Sequence, residues 1–268
     1  MSPLSFALFP LLGVVAGVLA GLLGVGGGLV LVAALAWLLP WFGVPQAQAM
    51  HAALASSLAS IVLTAASSAR AHARRGSVLW PTVAWMVPGL LLGGWLGSGL
   101  AVALDDAVLR WTVAGYCLLA AWQIGFGRSR APVDGSPVPA PRGWPMTAAG
   151  GGIGALSAVV GIGGGSMTVP LLVWRGVVPV RAVGTSSACG VAIGLASALG
   201  YALHAPPGAL PQHAVGYVYL PAAVGVAAAS VLAAPWGTRL AHRLSGPALR
   251  RVFALFLLAV GLSVPWSG

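Results

Sequence analysis

Lysine and glutamate are absent from this 268-residue chain, and aspartate occurs only at Asp105, Asp106 and Asp134. Charged residues make up 6% and apolar ones 59%, with a mean hydropathy of +0.95. A soluble domain carries roughly 25% charge, so this composition excludes one and points to a polytopic membrane protein. Cysteine is scarce as well. Cys117 and Cys189 both lie in apolar stretches, which excludes a disulfide framework or a metal set. They read as small hydrophobes, with Cys189, beside a serine-rich run, as a lesser candidate for handling substrate. Paired carboxylates and nucleophile–base arrangements are missing too. The chain is therefore expected to be no enzyme and to hold no metal or cofactor.

What is present is thirteen arginines, a net charge of +10 and 39 glycines. A basic balance can mean nucleic acid, but these arginines sit mostly in short loops between apolar runs, which is a topology signal. The start, MSPLSFALFPLLG, lacks a basic region and runs on as a first span rather than a signal peptide. The length suffices for roughly seven to ten spans of about 20 residues. Apolar stretches cover 6–42, 49–69, 78–103, 107–126, 145–174, 182–203, 214–235 and 251–266. The first and fifth are too long for a single span, and each contains a glycine run: Gly24-Val25-Gly26-Gly27-Gly28 and, 137 residues later, Gly161-Ile162-Gly163-Gly164-Gly165.

The match continues beyond the glycines. Ala55-Ser56-Ser57 pairs with Gly184-Thr185-Ser186 at offset 129, His72-Ala73 with His204-Ala205 at offset 132, and Leu109-Arg110 with Leu249-Arg250 at offset 140. The expected domains are a first repeat over 1–127, a cytoplasmic linker over 128–144 and a second repeat over 145–268. Arg70, Arg74 and Arg75 mark a cytoplasmic loop in the first half. Its counterpart at 203–216 has no arginine, while the segment matching the acidic turn carries Arg239, Arg243, Arg250 and Arg251. Twelve arginines fall inside, and Arg110, read with the acids at an external turn, falls outside. The positive-inside rule then gives the halves opposite orientation. The expected fold class is an all-α polytopic membrane protein of two inverted repeats. Each repeat is a glycine-broken re-entrant or hairpin helix pair followed by three transmembrane helices.

A glycine cluster inside hydrocarbon leaves backbone amides bare, tolerated only where protein or a polar cavity covers them. Broken helices of this kind, one in each half, mark transport sites. The returning half-helix presents unpaired N–H groups and about half a positive charge, an anion site without a charged side chain. The candidate substrate residues are Gly26, Gly27, Gly28, Gly163, Gly164, Gly165 and Ser166, with Thr168 able to cap the second half-helix. The repeat-matched hydroxyls Ser56, Ser57, Thr185 and Ser186, with the adjacent Ser187, join them as lining of a shared cavity. Hydroxyls in membrane helices also bond their own i−4 carbonyl. Gly13, Gly17, Gly150 and Gly154 have the small-xxx-small spacing of tight helix crossings. With Arg110 placed at the external turn, no ionised side chain falls within a span, which favours a neutral, dipole-lined anion path. His51, near a span end, is the candidate for proton coupling. The other histidines sit in loops without metal spacing.

The segments GVVAGVLAGLLGVGGGLV, GGIGALSAVVGIGGGSMTVP, VRAVGTSSACG and SSARAHARRGSV together resemble the TauE/SafE family of sulfite and organosulfur-anion exporters, over nearly the whole chain. The halves differ where Leu29 stands in the first and Ser166 in the second. The resemblance implies a secondary transporter, an exporter by family habit, for sulfite, thiosulfate, a sulfonate or a small carboxylate. It implies a location in the bacterial cytoplasmic (inner) membrane, with multiple passes. A passive anion channel of the same fold is the alternative. The expected partners are the small anion, the lipid bilayer and a coupled proton or ion, with a homodimer as a candidate assembly and no nucleic acid.

Overall fold

A computed structural model of the chain describes residues 7–23, 27–126, 139–210, 212–241 and 246–266. Among them ten α-helices follow one another: α1 (Leu8–Leu23), α2 (Gly28–Leu38), α3 (Ala49–Arg74), α4 (Trp80–Val102) and α5 (Asp106–Phe126), then α6 (Trp144–Val160), α7 (Gly165–Trp174), α8 (Pro179–Leu203), α9 (Leu220–Ala241) and α10 (Gly246–Ser263). The same order, a broken pair and then three helices, stands on each side of the segment joining α5 to α6. By length and composition, Gln46–Arg74, Trp80–Val102 and Pro179–Leu203 can each cross a membrane. A short hairpin, β1 (Ala214–Val215) and β2 (Val218–Tyr219), interrupts the all-helical expectation before α9. Its two-residue turn is made possible by Gly216 at φ 56°, a local signal that a span-level reading passes over.

The apolar stretch ends at residue 69, yet α3 continues to Arg74. Its end is set by backbone chemistry. Gly76 adopts φ 65°, its N–H bonds the Ala73 carbonyl at 3.0 Å, and the Ser77 N–H bonds that of His72 at 3.0 Å, a glycine-terminated helix stop. Arg70 and Arg74 thus ride on the last turns of the helix rather than in a loop.

Small residues set the packing. Across α1 and α9, Gly13 faces Val226 and Ala229, while Gly17 faces Ser230 and Ala233. Across α4 and α6, Gly150 faces Met86 and Leu90, and Gly154 faces Leu90 and Gly94. The helix-crossing reading of these glycines holds, and both crossings join one half to the other. Rising registers show that α1 runs with α9 and α4 with α6. Tyr219 and Ala223 meet Ser56 and Ser60, so α9 also runs with α3. The Cβ-free faces of Gly94 and Gly99 meet Ser197 and His204, so α4 runs with α8. The central pair, α3 and α8, is antiparallel. Gly194 meets Leu58, Gly190 meets Ala65, and Gly184 meets His72. A Ser68–Ser187 hydroxyl contact of 3.0 Å ties the two helices.

Trp37, Trp41, Trp80, Trp85, Trp111, Trp144, Trp174 and Trp236 are all exposed. Indole rings placed on the outside near helix ends match the aromatic belt of a bilayer interface.

Candidate functional site at the glycine turns

Both broken pairs are built by the same backbone device. Gly27, the residue before α2, has φ 64°, and Gly164, the residue before α7, has φ 73°. This is the left-handed region that glycine enters without a Cβ penalty. In the second half α6 ends on Gly161 at φ 77°, whose N–H bonds the Ser157 carbonyl at 2.8 Å. Its first-half counterpart Gly24, and the candidate Gly26, lie outside the described residues.

The two turns are in contact. A Cβ on Gly28 would stand 2.7 Å from the Gly161 carbonyl oxygen, and one on Gly190 3.0 Å from that of Gly163. A Cβ on Gly164 would run into Ile193. Ser57, fully buried on α3, links the turns: its hydroxyl lies 3.2 Å from the Gly28 carbonyl and 3.2 Å from the Gly161 carbonyl. A hydroxyl has one proton, so the two acceptors share it.

The other candidate hydroxyls divide by partner. Ser56 accepts the Tyr219 N–H at 3.0 Å, and its repeat counterpart Thr185 accepts the Leu79 N–H at 3.0 Å. Tyr219 and Leu79 each immediately precede a helix, α9 and α4, so each half caps the fourth helix of the other. Thr185 also donates to the Arg181 carbonyl at 2.7 Å, and Ser187 to that of Val183 at 3.0 Å. Ser60 and Thr64 likewise bond carbonyls one turn back. The i−4 reading therefore describes these four. Ser186 is buried on α8.

At the head of α7, Ser166 meets a side chain that the motif reading did not single out. The Tyr116 hydroxyl, from α5, is 2.5 Å from the Ser166 hydroxyl. A hydroxylated aromatic inside an apolar stretch was the available signal. Nearby, Thr168 is fully buried and its hydroxyl has no hydrogen-bond partner.

His51 belongs to a separate cluster at the head of α5. Its Nε2 lies 3.1 Å from the carbonyls of both Ala101 and Leu104, so Nε2 carries the hydrogen. Nδ1 faces Asp106 Oδ1 at 3.7 Å, and the ring stacks on Tyr217 with centroids 4.9 Å apart. Asp106 Oδ1 accepts the Met50 N–H at 2.8 Å, and Oδ2 accepts the Arg110 Nε–H at 2.5 Å. Here the placement of Arg110 in the turn with the acids is corrected. Arg110 sits within α5, 5% exposed, because an i,i+4 pair with Asp106 neutralises it there. Burial alone would raise the Asp106 carboxyl. The Arg110 and Met50 hydrogen bonds, joined by His51 when its Nδ1 carries a proton, outweigh it and hold the carboxyl below its usual range. Cys117 and Cys189 are buried free thiols, and among the described residues no His/Cys/Asp/Glu group could hold a metal.

The family model described as "Sulfite exporter TauE/SafE" matches residues 9–264. The chain is 33% identical over 257 residues to a probable membrane transporter protein of Haemophilus influenzae, covering 95% of this chain and 96% of that protein. A probable membrane transporter protein of Xylella fastidiosa (strain Temecula1) is 30% identical over 250 residues, covering 92% and 89%. One of Methanocaldococcus jannaschii is 25% identical over 259 residues, covering 95% and 94%. No solved structure matches. The chain belongs to the sulfite exporter TauE/SafE family and is a multi-pass membrane transporter.

Proposed function

We propose that this TauE/SafE family member exports a small oxyanion, such as sulfite, thiosulfate or a sulfonate, across the bacterial cytoplasmic membrane by alternating access of two inverted halves. Helix direction supports the inversion. α1, α3 and α9 run one way and α4, α6 and α8 the other, so the matched helices α1 and α6, α3 and α8, and α4 and α9 point oppositely. Charge agrees with direction. The end of α3, the end of α9 and the start of α8 carry the arginines, and all three lie on one side. The 1–127 and 145–268 segments then act as the rocking units around a cytoplasmic linker.

The observation that carries the site is the meeting of the two glycine turns, Gly28 against Gly161, with the Ser57 hydroxyl reaching both carbonyls. α7, at 10 residues, rises about 15 Å, half the hydrocarbon thickness of about 30 Å. Its head therefore falls inside the bilayer, where its bare amides need an acceptor. Gly27, Gly28, Gly163, Gly164, Gly165 and Ser166 form the anion turns, with Ser57 and Ser186 behind them. Ser56, Thr185 and Ser187 hold the surrounding helices. In proton-coupled exchange, His51 Nδ1, facing Asp106, would take up the proton.

Gly27→Leu and Gly164→Leu should abolish sulfite flux in proteoliposomes while the protein still inserts. Normal flux by both variants would overturn the site. Accumulation of sulfite against its gradient separates this carrier from a passive anion channel, which only equilibrates.

A further inference from the structure

We propose that the oxyanion is held at only one of the two glycine turns, the head of α7, and that Tyr116 is the residue that selects it. The inference rests on reading the glycine turns as the transport site. It adds that the two turns are chemically unequal.

Three hydroxyls lie at the head of α7, Tyr116 against Ser166 and Thr168 against Gly164. Ser166 is the second residue of α7. Tyr116 reaches it from α5 of the other half at 2.5 Å. Thr168 stands one turn along, and its Oγ1 lies 3.5 Å from where a Gly164 Cβ would be. Tyr116 and Ser166 own two hydroxyl protons and use one between them, so one O–H is left to donate. The Met167 and Thr168 N–H groups bond the Gly164 carbonyl at 3.1 and 2.8 Å, and the first amides of the helix, at Gly165 and Ser166, have no intrahelical acceptor. Thr168 Oγ1 is the independent sign of a ligand. It is fully buried and makes no hydrogen bond, an arrangement natural proteins rarely leave unexplained. Every one of these groups can donate, and none carries a formal charge. Such a set suits an oxyanion, whose oxygens only accept, and disfavours an inorganic cation.

The repeat supplies the comparison. At offset 137, Leu29 occupies the position of Ser166 and Leu31 that of Thr168. At offset 140, Phe256 occupies that of Tyr116. All three hydroxyls of one turn are hydrocarbon in the other, and Leu29 and Leu31 are buried. The first turn therefore has the backbone of an anion site without its side-chain donors, and serves as an apolar wall.

Sulfite binding to the purified full-length chain, followed by calorimetry and by thermal shift, tests this. Tyr116→Phe removes one oxygen, keeps the ring, and should weaken sulfite binding about tenfold, the effect of losing one hydrogen bond to a charged group. Ser166→Ala and Thr168→Val should weaken it by similar factors, and a melting point taken without sulfite separates lost binding from lost folding. Phe256→Tyr, at the matching position on α10, should change affinity less than twofold. Wild-type affinity in Tyr116→Phe, Ser166→Ala and Thr168→Val would overturn the assignment. If Gly164→Leu still abolished flux, the turn site would stand without it.

Discussion

The turn at Gly27 and the turn at Gly164 have the same backbone, a left-handed glycine ahead of a short helix, yet they are surrounded by different chemistry. The same split runs through the whole molecule. Features made by backbone occur in both halves. Each half has a glycine turn, each crosses the other through small residues, as Gly17 does on α9 and Gly154 on α4, and each caps the other's fourth helix with one hydroxyl, Ser56 or Thr185. The side chains proposed to bind substrate or proton occur at one turn and in one cluster. Tyr116, Ser166 and Thr168 have no hydroxyl at the matching positions, and of the His51–Asp106–Arg110 cluster only the arginine recurs, as Arg250, with Val180 and Gly246 standing where His51 and Asp106 would be. Parts that join the halves recur, because each half is packed by the other. A substrate or a proton needs only one binding group.

The largest expected effects test the shared backbone. Gly28→Ala forces a Cβ against the Gly161 carbonyl, Gly161→Ala forces one against the Val32 and Leu54 side chains, and Gly161 is in addition left-handed. Each should cost at least about 1–3 kcal/mol of stability from overpacking, read as a lower melting temperature in detergent. Gly161→Ala should be the worse, by about 1–2 kcal/mol of backbone strain. Equal melting points for the two would remove the conformational argument.

Next is Ser57. Ser57→Ala leaves two buried carbonyls short of a donor and should cost about 1–3 kcal/mol. A double variant with Gly28→Ala that lost no more than the single would place both on one contact. Smaller again, Ser56→Ala and Thr185→Val each leave one N–H at a helix start unpaired, at about 1 kcal/mol apiece. Near-equal losses would support the exchange of caps between halves, and a loss confined to one would break it.

The smallest effect is the pH dependence of the His51–Asp106–Arg110 cluster. The Asp106 carboxyl is depressed on folding, so its contribution is fully present above the unfolded value, about 4. It fades as pH falls through the lower folded value. Melting temperature should therefore be flat from neutrality to about pH 4 as far as this group is concerned, and drop below it. Asp106→Asn should lower the plateau and flatten the drop. An unchanged acid limb in that variant would show that the cluster contributes nothing.

Much of this was legible along the chain. The charge deficit specified a membrane protein, the helix boundaries followed the apolar stretches within a few residues, and the glycine runs marked both turns. Gly76 ended α3 later than hydropathy implied, because helix ends answer to local hydrogen bonding rather than to transfer energy. Arg110 was placed in the turn rather than on α5 for a related reason. Its burial depends on Asp106 one turn away, and a charge looks too costly for a span when its partner is not considered. Ser56 and Thr185 were recognised as a matched pair, but nothing along the chain indicated that their partners are Tyr219 and Leu79.

The sequence by itself determined the bilayer as solvent, the family and the positions of the helix breaks. These depend on composition, on local backbone freedom at glycine and on charge placed beside apolar runs, all of which are read residue by residue. Only the tertiary structure decided that the two turns touch, that Ser57 lies between them, and that Tyr116 meets Ser166 across 50 residues of chain. A hydroxyl can bond whichever donor or acceptor packing brings within about 3 Å, and that neighbour is chosen by how ten helices cross, not by the residue's place in the sequence.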